Sequence, residues 1–102
     1  MLPLIEARRS ELAGLCRSLR VRRLDLFGSA AAGRFDAGSS DLDFLVELAP
    51  LPPADYADAW FALKEGLEAL FGRPVELVSA GTVANPHFAA AIDASRESVF
   101  AA

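Results

Sequence analysis

Residues 21–29, VRRLDLFGS, and residues 40–47, SDLDFLVE, decide how this chain folds. In the first, Val21, Leu24, Leu26 and Phe27 run up to Gly28-Ser29, as in a strand that ends at a turn. In the second, side chains alternate between faces, with Leu42, Phe44 and Val46 on one and Asp41, Asp43 and Leu45 on the other. The two aspartates therefore point the same way, with Cα atoms about 7 Å apart. Two like charges about 4 Å apart repel by about 4 kcal/mol at an effective dielectric near 20. A fold keeps such a pair if water hydrates it or if a cation sits between the carboxylates. Hard, oxygen-seeking Mg²⁺ or Mn²⁺ suit that place. An exposed edge-strand D-x-D has the same pattern, so this pair alone leaves both readings open.

Working outward, Ile5, Leu12, Leu15, Cys16 and Leu19 recur at helical spacing and predict an amphipathic helix over residues 3–19. Ala30–Ala32 reads as a short turn that Gly33 ends, and residues 34–40 read as loop. Beyond the prolines of residues 49–54, Asp55 is expected to cap a helix that turns Tyr56, Trp60, Leu63, Leu67 and Leu70 inward and ends near Gly72. A third short strand follows Pro74 over residues 75–78. Asn85-Pro86 signals the start of a last helix, with Phe88, Ile92 and Val99 inward. This order predicts a small α+β domain, a mixed three-stranded sheet with helices packed on one face. The face that carries Asp41 and Asp43 is expected to stay open.

The 102 residues suit one domain over 1–102. A 53% hydrophobic and 24% charged composition excludes disorder and collagen. No apolar run approaches the roughly 18 residues of a membrane span. The opening apolar residues are broken by Glu6, Arg8 and Arg9, unlike a secretory leader. A single cysteine, Cys16, rules out a disulfide framework, and a cytoplasmic protein is expected. Mean hydropathy of +0.29 is high for so small a domain and favours a neighbour, either a second copy or another protein. Residues 1–23 carry +4 and residues 24–102 carry −8, so the basic end can face phosphates or an acidic partner. The acidic body argues against direct binding of DNA or RNA.

Gly28-Ser29 alters how the aspartates read. Glycine allows close backbone approach, and Ser29 offers an N–H and a hydroxyl where a strand opens a turn, a place suited to phosphate oxygens. A phosphate cradle beside a carboxylate pair is minimal equipment for nucleotide chemistry. Glu76, between Val75 and Leu77, is expected to emerge on the same face as a third acid. Other residues have plainer readings. Cys16 falls on an apolar helix face, His87 lacks a second histidine, and Lys64 and Arg73 read as solvated. Trp60 reads as core, while Tyr56 or Phe61 could stack on a base. Asp25, among apolar residues of the first strand, has no assignment.

With these residues in view, residues 26–29, Gly33 and residues 40–47 resemble the signature of the DNA polymerase β-like nucleotidyltransferase superfamily. In length the chain is similar to its minimal nucleotidyltransferases, the antitoxins of HEPN-domain ribonuclease toxins. The resemblance implies that Gly28 and Ser29 hold the phosphates of a nucleoside triphosphate, ATP. It implies that Asp41 and Asp43 bind a pair of Mg²⁺ ions, and that Glu76 ligates one of them and takes a proton. The implied reaction is attack on the α-phosphorus, with AMP passing to a tyrosine of the toxin. Three departures mark this chain. The spacing from Ser29 to Asp41 is one residue longer than usual, Glu76 stands where aspartate is usual, and Ala30–Ala32 replaces an expected arginine. They motivate an alternative, a catalytically weakened antitoxin that silences its partner by occlusion, with active transfer the main reading. Transfer to a small molecule such as an aminoglycoside ranks third, because so short a chain leaves little for an acceptor pocket.

Overall fold

The stretch read as the first strand forms β1, Val21–Phe27, in a computed structural model that describes residues 2–28, 31, 41–82 and 85–102. Before it come α1, Pro3–Glu6, and α2, Arg9–Ser18. After it come β2, Leu42–Leu48, α3, Pro53–Phe71, and β3, Val75–Ser79. A 3₁₀ turn, Ala80–Thr82, leads toward α4, Pro86–Ser95, and β4, Glu97–Ala101. The strands lie in the order β3-β2-β1-β4. β1 pairs antiparallel with both β2 and β4, and β2 pairs parallel with β3. A parallel pair needs a crossover, and α3 supplies it.

The α+β class stands, with one strand more than expected. The last helix does not run on to Val99 but stops at Ser95, and Arg96 is extended with φ −65° and ψ 137°. Residues 97–101 then form β4 against β1, where a bulge at Leu24/Asp25 lets both Val99 and Phe100 be buried. The first helix is also divided, because the chain turns at Ala7-Arg8 between α1 and α2. Ile5, Leu12 and Cys16 are all fully buried in the resulting arrangement. α3 begins at Pro53, with Asp55 inside its first turn rather than at the cap, since proline suits the first helical position. Its end is as expected, at Gly72 with φ +66°, a left-handed cap that glycine adopts without strain.

One face of the sheet builds the main core. Leu24, Leu26, Leu42, Phe44 and Val46 meet Ile5, Leu12, Cys16, Leu63 and Leu67 there, and Phe44 stacks on Phe71 with centroids 6.4 Å apart. Each such burial stabilises by about 1.5–3 kcal/mol. Burial pushes the Cys16 thiol up to about 12, so it is a core thiol with no chemistry to offer at neutral pH. The face expected to be open is covered in part by α4, whose Ile92 packs on Phe27 and Leu45. Phe88 meets Phe27 edge-on at 6.1 Å. Among the described residues no helix is long and apolar enough to cross a membrane.

Candidate functional site

β1, β2 and β3 bring three positions of the sequence to one patch. Phe27, the last residue of β1, pairs with Asp43 of β2, and Asp43 in turn pairs with Glu76 of β3. Neighbouring strands lie about 4.8 Å apart, so residues in register share a face and touch. Asp43 is half-buried, while Asp41, just before β2, and Glu76 are exposed. Burial pushes the Asp43 carboxyl above the usual carboxylate range, and the charges of Glu76 and Asp41 push it the same way. The three acids thus repel one another across the strand ends. Among the described residues no three His, Cys, Asp or Glu side chains are gathered closely enough to hold a metal ion.

Gly28 closes the patch. Its φ is +75°, and a Cβ built on it would lie 2.5 Å from Oδ2 of Asp43. The left-handed backbone therefore strains any side chain here, and a Cβ would make the Asp43 carboxylate turn aside. The Gly28 N–H donates to Oγ of Ser95 at 3.2 Å, and that hydroxyl donates to the Ala91 carbonyl at 3.2 Å. This amide is engaged by the end of α4, so the role of Gly28 here is to admit the Asp43 carboxylate. Ser29, expected beside it, lies outside the described residues, as do Gly33 and Arg34.

Gly28→Ala sets a left-handed residue and a clash against one movable carboxylate. Its expected stability cost is about 1–2 kcal/mol. The larger effect falls on Asp43, which must rotate away, so any melting shift that Mg²⁺ and ATP give the native protein is expected to vanish. Calorimetry with and without both ligands checks this.

Asp25 shows what a charge inside an apolar strand requires. It is 1% exposed and lies on the face shared with Asp43. Arg96 donates to its Oδ2 from Nε at 2.8 Å and from Nη2 at 2.6 Å, and Arg23 donates to Oδ1 at 3.2 Å. Asp25 and Asp93 hold the Arg96 guanidinium above its ordinary range. Arg96 and Ser95 escape a sequence reading because their partners lie 71 and 67 residues away. The only signal was an apolar strand with an unexplained aspartate. His87 only contributes its N–H to the cap, where Oδ1 of Asn85 accepts from His87 and Phe88.

Residues 9–99 match the nucleotidyltransferase domain family. The chain belongs to that family. Comparison with curated proteins gave no match. Among solved structures, a candidate minimal nucleotidyltransferase is 32% identical with a TM-score of 0.71, over 94% of this chain and 93% of that one. A toxin–antitoxin structure with AMP-PNP is 20% identical with a TM-score of 0.66, over 92% of this chain and 73% of that one. A mutant of the toxin–antitoxin MntA–HpeT is 18% identical with a TM-score of 0.67, again over 92% and 73%. The nucleotidyltransferase domain has a patch whose donors are all carboxylate oxygens, the set that hard divalent cations take.

Proposed function

We propose that this nucleotidyltransferase domain transfers AMP from ATP to a tyrosine hydroxyl of a cognate HEPN-type toxin, and so acts as its antitoxin. The observation that carries the proposal is the juxtaposition of Gly28, Asp43 and Glu76. A left-handed glycine abuts one carboxylate, and a second carboxylate stands in register beside it. The toxin–antitoxin structures of the same fold, one with AMP-PNP, support the nucleotide and the class of partner.

In this reading Asp41, Asp43 and Glu76 hold Mg²⁺. The residues fit, since the cation offsets the repulsion that raises the Asp43 carboxyl, and the two exposed acids are free to turn toward it. When bound, the ion neutralises phosphate charge and makes the acceptor hydroxyl more acidic. Gly28 lets the triphosphate approach, and Ser29 donates to its phosphate oxygens. The phenol oxygen bonds to the α-phosphorus as the bond to the bridging β-phosphate oxygen breaks. Pyrophosphate leaves, and the phenol proton passes to the Glu76 carboxylate and then to water. Asp25 and Arg96 do not react; they hold β1 against the end of α4, which fixes the Gly28 turn.

A second reading, silencing by occlusion, is favoured by one observation, that the three acids are not pre-gathered for a metal. Co-expression with the protein encoded beside it, followed by intact masses, separates the two. Whole-AMP increments on the partner, lost in Asp43→Ala, are expected. A stable complex with no added mass would leave occlusion as the function.

A further inference from the structure

β3 is the outer strand of the sheet beside the carboxylate patch, and Glu68 caps one of its outward amides. The strand order leaves β3 paired with β2 alone among the described residues. The Leu42 N–H donates to the Pro74 carbonyl at 3.2 Å, which sets the ladder's phase. Residue 75 must then turn its backbone groups away from β2, and it does: the Val75 N–H donates to Oε2 of Glu68 at 3.0 Å. Glu68 stands there like the carbonyl of a missing strand, and that N–H, with Lys64 adding to it, holds its carboxyl below the usual range. Backbone direction alternates along a strand, so the Leu77 N–H and C=O also point outward.

Two grooves of about 420 and 390 Å³ follow this edge and share Trp60 as a wall. Tyr56 stacks on Trp60 at 6.3 Å, and its hydroxyl shares a hydrogen bond with Ser79, so the aromatic wall is held in place. The second groove is also lined by Asp41 and Glu76, which makes it continuous with the patch.

We infer that the β3 edge docks an extended segment of the acceptor protein, which adds as a further strand and presents its tyrosine to the carboxylates. The inference rests on the tyrosine-transfer reading above and names how that acceptor is held. Alternation decides the chemistry of the segment. A side chain opposite Glu76 points to the carboxylate face, its neighbour on one side meets Leu77 and Trp60, and its neighbour on the other meets Lys64 and Glu68 at Val75. The acceptor motif is thus a tyrosine with an apolar residue on its Leu77 side. An added strand lies about 10 Å from β2, so its hydroxyl must lean across Glu76 toward Asp43. Tyrosine has that length, and serine or threonine does not.

Trp60 is the chain's single tryptophan, so its emission reads occupancy independently of transfer. The probe is a blocked Thr-Val-Tyr-Val-Thr peptide, titrated against the same peptide N-methylated at every backbone amide. The expected result is a saturable emission change that is at least about tenfold weaker for the methylated peptide. AMP is expected on the tyrosine of the first peptide when Mg²⁺ and ATP are supplied. Leu77→Pro, which removes an outward N–H from an edge position that tolerates proline, is expected to weaken binding similarly. No saturable change at millimolar peptide, or equal binding of both peptides, would overturn edge docking. Equal AMP transfer to both would also overturn it, while tyrosine transfer itself stood. Binding without any mass gain would overturn the acceptor role and the tyrosine reading together.

Discussion

Asp43→Asn is expected to lower nucleotide transfer by about a thousand-fold or more while making the metal-free protein more stable. The first effect follows from its position: Asp43 is the carboxylate that touches the Gly28 turn and pairs with Glu76. Removing one preorganised electrostatic contact to a transferring phosphoryl group typically costs two to three orders of magnitude, and a metal ligand lies at the upper end. The second effect has the opposite sign. Asp43 binds its proton more tightly folded than unfolded, because burial and two neighbouring acids disfavour its charge. Metal-free stability therefore falls as pH rises above the ordinary carboxylate range. Asparagine carries no such charge. A relief of about 0.5 kcal/mol corresponds to roughly 2–4 °C in a domain of this size.

Ligand-linked melting separates these effects in one experiment. At about a hundred times its dissociation constant a ligand stabilises by about 2.7 kcal/mol. The native protein should gain that with Mg²⁺ and ATP, and Asp43→Asn should not. A variant that melts lower without metal would contradict the repulsion. A variant that still transfers AMP would remove Asp43 from the reaction.

Arg96→Ala is expected to be the most destabilising single change outside the apolar core. Of the three hydrogen bonds that Asp25, a carboxylate with 1% exposure, accepts among the described residues, it strips two. Breaking a buried pair costs about 3–5 kcal/mol because the remaining charge is uncompensated. Arg23 still reaches Asp25 at 3.2 Å from a half-exposed position, so the lower end applies. About 3 kcal/mol lowers the melting temperature by roughly 12–24 °C. The double variant Asp25→Leu/Arg96→Leu should recover much of that, since it removes the buried charge with its partner. Thermal unfolding of the three proteins checks the coupling. If the double variant is no better than Arg96→Ala, the loss lies in packing and not in a stranded charge.

These residues also show where a sequence reading ends. β1 and β2 were legible because short apolar-rich runs end at turn signals, and in β2 Leu42, Phe44 and Val46 share one face, properties local to a few residues. Asn85-Pro86 and Gly72 were legible for a related reason, since caps act on neighbouring backbone groups. β4 was not. Val99 suits a continued helix by periodicity, but pairing with β1, burial of Val99 and Phe100, and the Arg96–Asp25 pair all lie with the strand. The division between α1 and α2 likewise answers to burial of Ile5 and Leu12 in one core.

The acids of the site divide along the same line. That Asp43 and Glu76 share a face was readable from strand alternation. By itself the sequence determined the α+β class, the Gly28 turn and a row of carboxylates, since local patterning and backbone chirality suffice for those. Tertiary structure alone decided that Asp43 and Glu76 stand in register, that Ser95 holds the Gly28 amide and that β3 is the outer strand beside them. Each of these depends on which strand lies next to which, and no local stretch of chain carries that choice.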